Sequence, residues 1–181
     1  MQKFPKNKTQ GFTLVETLIA ISIFSMSLLG LMVVLASSIT NTTYAKEKII
    51  GTYLAQEGIE YVRNIRDTDV LYDATSAQHG WDTFRTGMTP CAVGNECGFN
   101  NKIIPRSVFL CTSESSHCKL YLSNGNYNDS ASVGVDSGFV RRIWITTTST
   151  DQVRIFSSVS WNQGSGVVNV TFAEDLFNWI E

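Results

Sequence analysis

The sequence predicts an α+β chain: one long N-terminal helix, half membrane-type and half amphipathic, packed on a C-terminal antiparallel sheet of three or more strands. Three observations predict it. Thr17 to Ala45 contains no Asp, Glu, Lys or Arg. Beyond it, Ile49, Ile50, Tyr53, Leu54, Ile59, Val62 and Ile65 recur at three- and four-residue spacing, while Lys46, Lys48, Gln56, Glu57, Glu60, Arg63 and Arg66 take the remaining positions, the pattern of a helix with one stripe to bury. Near the C-terminus, Phe139–Thr147, Val153–Trp161 and Val167–Phe172 alternate with the period of a strand.

The uncharged stretch comes first. Leu18 to Ile39 holds Leu, Ile, Phe or Val at twelve positions, in a span longer than the ~20 residues needed to cross a bilayer. At about −0.3 to −0.6 kcal/mol per such residue, these contribute roughly −4 to −7 kcal/mol, against at most about +3 kcal/mol for the carboxylate of Glu16 at its start. Insertion therefore wins with Glu16 present. A secretory signal peptide would use Lys3, Lys6 and Lys8 as its basic region, but the apolar run is about twice the usual core length, and the nearest cleavage candidate, Ala36-Ser37-Ser38, has no polar mature start behind it. A plain signal anchor is the other simple reading. Lys3, Lys6, Lys8 and the amine precede the span, while Lys46 and Lys48 follow it with Glu47 between, so the positive-inside bias favours a cytoplasmic N-terminus and an exported remainder.

The junction Gly11-Phe12-Thr13-Leu14-Val15-Glu16, after a short basic leader and before Thr17-Leu18-Ile19-Ala20-Ile21, resembles the class III signal of type IV pilins and type II secretion pseudopilins. Glu57-Gly58-Ile59-Glu60-Tyr61-Val62-Arg63-Asn64-Ile65-Arg66-Asp67 is similar to stretches of minor-pilin-like proteins. The resemblance implies that prepilin peptidase cuts between Gly11 and Phe12 and methylates the new amine of Phe12. Glu16 then becomes the fifth mature residue, whose carboxylate in this family pairs with the N-terminal amine of a neighbouring subunit. Physics gives that pairing a use of its own. Apolar helices slide past one another at little cost, whereas one buried charge pair selects a single axial offset, and losing either member leaves the other alone at a cost of several kcal/mol. Thr13 and Thr17 offer hydrogen bonds nearby.

The segments then divide as leader 1–11, membrane and assembly helix 12–40, amphipathic half of the same helix 41–66, disulfide-bearing variable region 67–138, and antiparallel meander with C-terminal segment 139–181. Gly30 and Gly58 weaken the helix by about 1 kcal/mol each relative to Ala, and Asn41-Thr42-Thr43 is where it is expected to bend. Gly58 reads as a packing notch in preference to a hinge. Residues 67–138 read as a long connection, with a short helix around Trp81–Phe84 and a strand from Ile103 to Leu110. Cys91 and Cys97, then Cys111 and Cys118, lack the short ligand gaps of a zinc ribbon, and cysteines confined to the exported part suit disulfides. Three connectivities are possible; the turn formers Pro90, Gly94 and Gly98 favour sequential pairing, while Cys91 with Cys118 is the nested alternative. Thr148–Gln152 and Asn162–Gly166 are hairpin turns. Leu176-Phe177-Asn178-Trp179-Ile180 is apolar enough to dock on the core.

Composition narrows the function. The 181 residues are 43% hydrophobic and 17% charged. Taking the three leader lysines from 14 basic residues leaves 11 against 16 acids, a net charge of −5, which disfavours a nucleic-acid partner. The tight basic pair Arg141-Arg142 points to opposite faces of a strand. Only His79 and His117 are available for acid–base work, and nucleophile-elbow, zinc-protease and phosphate-loop patterns are lacking, so no enzyme and no cofactor are expected. Asn124, Asn126, Asn128, Asp129 and Asp136 cluster hard oxygens, and the resemblance makes them calcium candidates because major pseudopilins bind calcium in this region, although the order is not that of an EF-hand. Sequons at Asn41, Asn128 and Asn169 carry little weight. The expected protein is a structural minor pilin or pseudopilin of a type IV pilus or a protein-secretion filament. Its expected partners are other pilin or pseudopilin subunits, prepilin peptidase, an inner-membrane assembly platform and cytoplasmic membrane lipids. The alternatives are a pilin-like adhesion or DNA-uptake subunit and, from another class, a signal-anchored exported enzyme.

Overall fold

The computed structural model describes residues 11–92, 94–100, 108–111, 118–164 and 166–179. The leader lysines, His117 and residues 103–107 of the expected strand lie outside them. Helix α1 spans Leu14–Tyr72. The chain divides into two compact units between Ala45 and Lys46.

The first unit is helical from Leu14, and its described residues are exposed throughout. Among the described residues one helix is long and apolar enough, by length and composition, to cross a membrane. Its hydroxyls do not oppose that. Ser25, Ser27, Ser38 and Thr40 each donate to the carbonyl four residues back, and Ser22 to the carbonyl three back, so they are satisfied within their own backbone. Thr42 and Thr43 do the same, and the helix is unbroken through Asn41–Thr43.

The second unit is one long helix segment on one antiparallel sheet, with the core between them. α1 continues past Arg66, where the sequence pattern ended it, to Tyr72. Tertiary contact holds this extension: Val70 is buried, and Gly80 of the next helix sits where a Cβ would come within 2.2 Å of the Asp69 carbonyl oxygen. Asp73 then turns the chain by accepting from the N–H groups of Thr75 and Ser76. Helix α2 (Ala77–Gly87) is capped by the Ser76 hydroxyl, buries Trp81 and Phe84, and is tied to the sheet by the Trp81 indole donating to the Thr150 carbonyl at 2.8 Å.

Residues 67–138 are therefore not a connection. After α2 and a 3₁₀ turn (Thr89–Cys91) they supply β1 (Cys97–Phe99), β2 (Val108–Leu110), β3 (Lys119–Ser123) and β4 (Asn126–Asn128). β5 (Val135–Ser149), β6 (Gln152–Gln163) and β7 (Gly166–Phe177) form the expected meander. On its other edge β5 pairs with β3 near Val140 and with β1 at Ile143; β4 flanks β3 and β2 flanks β1. The inward positions alternate as expected: Phe139, Ile143 and Ile145 on β5, and Val153, Ile155, Val159 and Trp161 on β6. Ile49 and Tyr53 are exposed, contrary to the expected stripe. The buried face of α1 runs instead through Gly51, Leu54, Ala55, Gly58, Ile59 and Val62, where small residues let the helix approach the sheet closely. The C-terminal segment docks in part. Leu176 is buried, while Trp179 is 55% exposed and stacks on Phe177.

Candidate functional site: helix start and helix–sheet clamp

The helix begins with a cap. Thr13 Oγ1 accepts from the N–H of Glu16 at 3.3 Å, the Thr13 carbonyl accepts from the Thr17 N–H, and the Thr17 hydroxyl donates to the Leu14 carbonyl. Thr13-x-x-Glu16 is the spacing of a capping box, and an acid in the first turn also faces the positive end of the helix dipole, an effect of about 0.3–1 kcal/mol. This local role for Glu16 was readable in the sequence and was missed there. Gly11, Phe12, Thr13 and Glu16 are all exposed, so the first turn is open to a partner.

The second cluster is built by the segment Glu57 to Arg66. Gly58 faces Ser157 of β6 so closely that a Cβ would lie 2.2 Å from its hydroxyl. That contact makes Gly58 a notch for the sheet, and it brings Glu57 to Arg141. The guanidinium of Arg141 is 5% exposed and donates to Glu57 Oε2 at 2.6 Å and to the Leu54 carbonyl at 3.3 Å, with the Phe99 ring 3.8 Å away. Burial pushes the Arg141 pKa down, and the charge of Glu57 opposes it. Tyr61 stacks on the other contact of this knot, Phe99, with centroids 3.7 Å apart, and donates to the Asn100 carbonyl. One turn on, Arg63 bonds Glu174 of β7 and Glu60 of its own helix, and the hydrogen bond to Glu174 raises its pKa. Arg66 then donates to the Phe177 and Trp179 carbonyls. Glu57, Arg63 and Arg66 thus fix this part of α1 to β5 and to the end of β7.

The disulfides are Cys91–Cys97 and Cys111–Cys118, with Cα atoms 5.5 and 5.6 Å apart. The first closes the 3₁₀ turn onto β1 inside the core. Two of the calcium candidates are well separated. Asn128 and Asp136 lie on strands either side of β3, both opposite Tyr121 and so about 10 Å apart. Asn128 donates to the Tyr121 carbonyl and accepts from Ser130, Asp136 accepts from Gly138, and Asn126 donates to Asn124. His79 is bound to Asp73 at 2.6 Å beside the start of α2.

Residues 6–32 match the family model described as the prokaryotic N-terminal methylation motif, the signal of type IV pilins and pseudopilins. The chain carries a prepilin signal. The motif supports a type IV pilin-like subunit that prepilin peptidase processes, and with it assembly with other pilin subunits. The prepilin signal and the apolar helix together fit an inner-membrane anchor bearing an exported domain. Neither the curated proteins nor the solved structures give a match.

Proposed function

We propose that this protein is a non-enzymatic minor pilin or pseudopilin, held in the inner membrane with its N-terminus cytoplasmic until an assembly platform extracts it into a filament. One observation carries the reading: behind the prepilin signal stands a helix whose apolar side chains, from Phe12 through Ile39, are exposed. Such a surface needs cover. Lipid provides it before assembly and neighbouring helices provide it afterwards, so the subunit exchanges one apolar environment for another. Cleavage falls between Gly11 and Phe12, methylation on the Phe12 amine, and Glu16 pairs with the amine of an adjoining subunit to set the axial offset.

The exported unit supports a structural role. Among the described residues Arg63, Arg141, Arg142 and Arg154 are each paired with a carboxylate, which takes these four out of the positive charge open to nucleic acid. His79 is engaged by Asp73 at a helix start, which favours a capping role over a catalytic one. N-terminal mass spectrometry tests the processing step, with a methylated Phe12 as the expected first residue. Glu16→Ala tests the assembly step: normal cleavage with failed incorporation is expected, and unchanged incorporation into filaments refutes the pairing.

A further inference from the structure

β7 is an open edge of unusual length. Its twelve residues pair with β6 without a register shift, and no second partner strand lies beside it among the described residues. The other borders of the sheet, β2 and β4, have three residues each. Short strands are one way of blunting an edge; Lys, Pro, bulges and inward charges are others. None of these protects Gly166 to Ala173, which reads Gly-Val-Val-Asn-Val-Thr-Phe-Ala. Val167 is 72% exposed. The charges that follow, Glu174 and Asp175, are already neutralised by Arg63 and Arg154. An uncharged, β-branched edge of this kind is an aggregation hazard for an exported protein unless something covers it.

The chemistry of the cover follows from the edge. About half of its N–H and C=O groups point away from β6, and such a row is matched only by another extended backbone. Beside the strand, a groove of about 320 Å³ opens between α1 and β7, lined by Gln56, Ile59, Glu60, Phe172, Ala173 and Glu174. Its apolar lining of Ile59, Phe172 and Ala173 has room for an aliphatic side chain of an added strand. An antiparallel β7–β7 pair between two copies is isologous and closed, so it ends an assembly and cannot extend one. The three-residue edges offer no strand of matching length.

We propose that β7 with its groove is a docking edge for an extended, uncharged, apolar-alternating segment of a different exported subunit, added as an eighth strand. Naming the partner as a subunit rests on the filament reading; the strand-docking property does not.

The test uses the full-length chain in detergent micelles and a blocked synthetic peptide, Val-Thr-Val-Thr-Val-Thr. Saturating peptide is expected to slow amide exchange over residues 166–173 about tenfold or more. A version with a central proline, or the chain variant Asn169→Lys, is expected to lose that protection, while Asn169→Ser keeps it. Equal protection by the proline peptide, or none by the intact one, overturns docking. In cells, a photocrosslinking residue at position 169 should capture a different exported subunit, and capture of a second copy alone overturns the partner assignment. Filament composition separates the two readings: absence of the unaltered chain from isolated filaments defeats the filament reading and leaves peptide protection unaffected.

Discussion

Removing the Glu57 carboxylate is predicted to destabilise the second unit more than removing the charge it serves. The Arg141 side chain is 5% exposed and that of Glu57 40% exposed. Glu57→Ala leaves a guanidinium in the core with the Leu54 carbonyl, the Phe99 ring and the charge of buried Asp129 to stabilise it. Stranding a fully buried charge costs about 3–5 kcal/mol, but water reaches the outer end of this pair, so the loss is set nearer a charge-assisted hydrogen bond, at about 2–3 kcal/mol. Arg141→Met keeps aliphatic volume and leaves Glu57 within reach of water, at a cost of about 1 kcal/mol. The core of the second unit begins at Gly51, so residues 46–181 contain all of it and suit urea unfolding with the disulfides intact. For a domain of this size the single Glu57 variant should melt roughly 8–12 °C lower. The double variant should resemble Arg141→Met alone, because the two changes share one interaction. Arg141→Met as damaging as Glu57→Ala, or additive losses in the double variant, refutes the account.

Gly58→Ala should cost about 1–3 kcal/mol in the same assay, since the added methyl collides with the Ser157 hydroxyl; a loss within about 0.5 kcal/mol contradicts the notch. The Asp73–His79 pair predicts a pH signature: Asp73 is lowered to about 2, first by its hydrogen bond to His79, and His79 is raised, first by its hydrogen bond to Asp73. The Asp73 contribution is present above the ordinary carboxylate range and is lost as pH falls toward about 2, whereas the His79 contribution is present below about 6.5 and is lost as pH rises through its raised value. Ring titration by NMR should put His79 above 6.5 in the native protein, falling back in Asp73→Asn. Limited reduction followed by alkylation should label Cys111 before Cys91, because Cys91 and Cys97 are both fully buried while Cys111 is partly exposed.

Period and composition made the frame legible. Ile143 with Ile145, and Val153 with Ile155, Val159 and Trp161, announced the inner face of the sheet, because alternation over a long strand has few other readings. The three-residue strand β1 carries no period at all, so its place in the sheet is set by pairing with β5 and was invisible beforehand, whereas β2 is the described end of the strand expected from Ile103 to Leu110 and pairs with β1. The same holds for the last turns of α1. Asp67, Thr68 and Asp69 are poor helix formers, and the helix survives there because Val70 and Gly80 pack.

The misread stripe on α1 has a more general cause, and it bears on function. Counting large apolar residues selected Ile49 and Tyr53, yet helix and sheet meet most closely at Gly51, Ala55 and Gly58, where side chains are smallest. A hydrophobicity pattern records what a residue gains by burial but not how near the backbones come. Once the helix is that close, charged groups on adjacent turns reach the sheet: Glu57 meets Arg141, Arg63 meets Glu174, and Arg66 meets the Phe177 carbonyl. Apolar packing alone would let this part of α1 slide along the sheet. The three polar contacts assign it one position, so the second unit holds this part of α1 against β5 and β7 by directional bonds as well as by burial. The filament role proposed above would need that connection, and the helix residues providing it lie in the stretch Glu57 to Asp67 on which the resemblance to minor-pilin-like proteins rests.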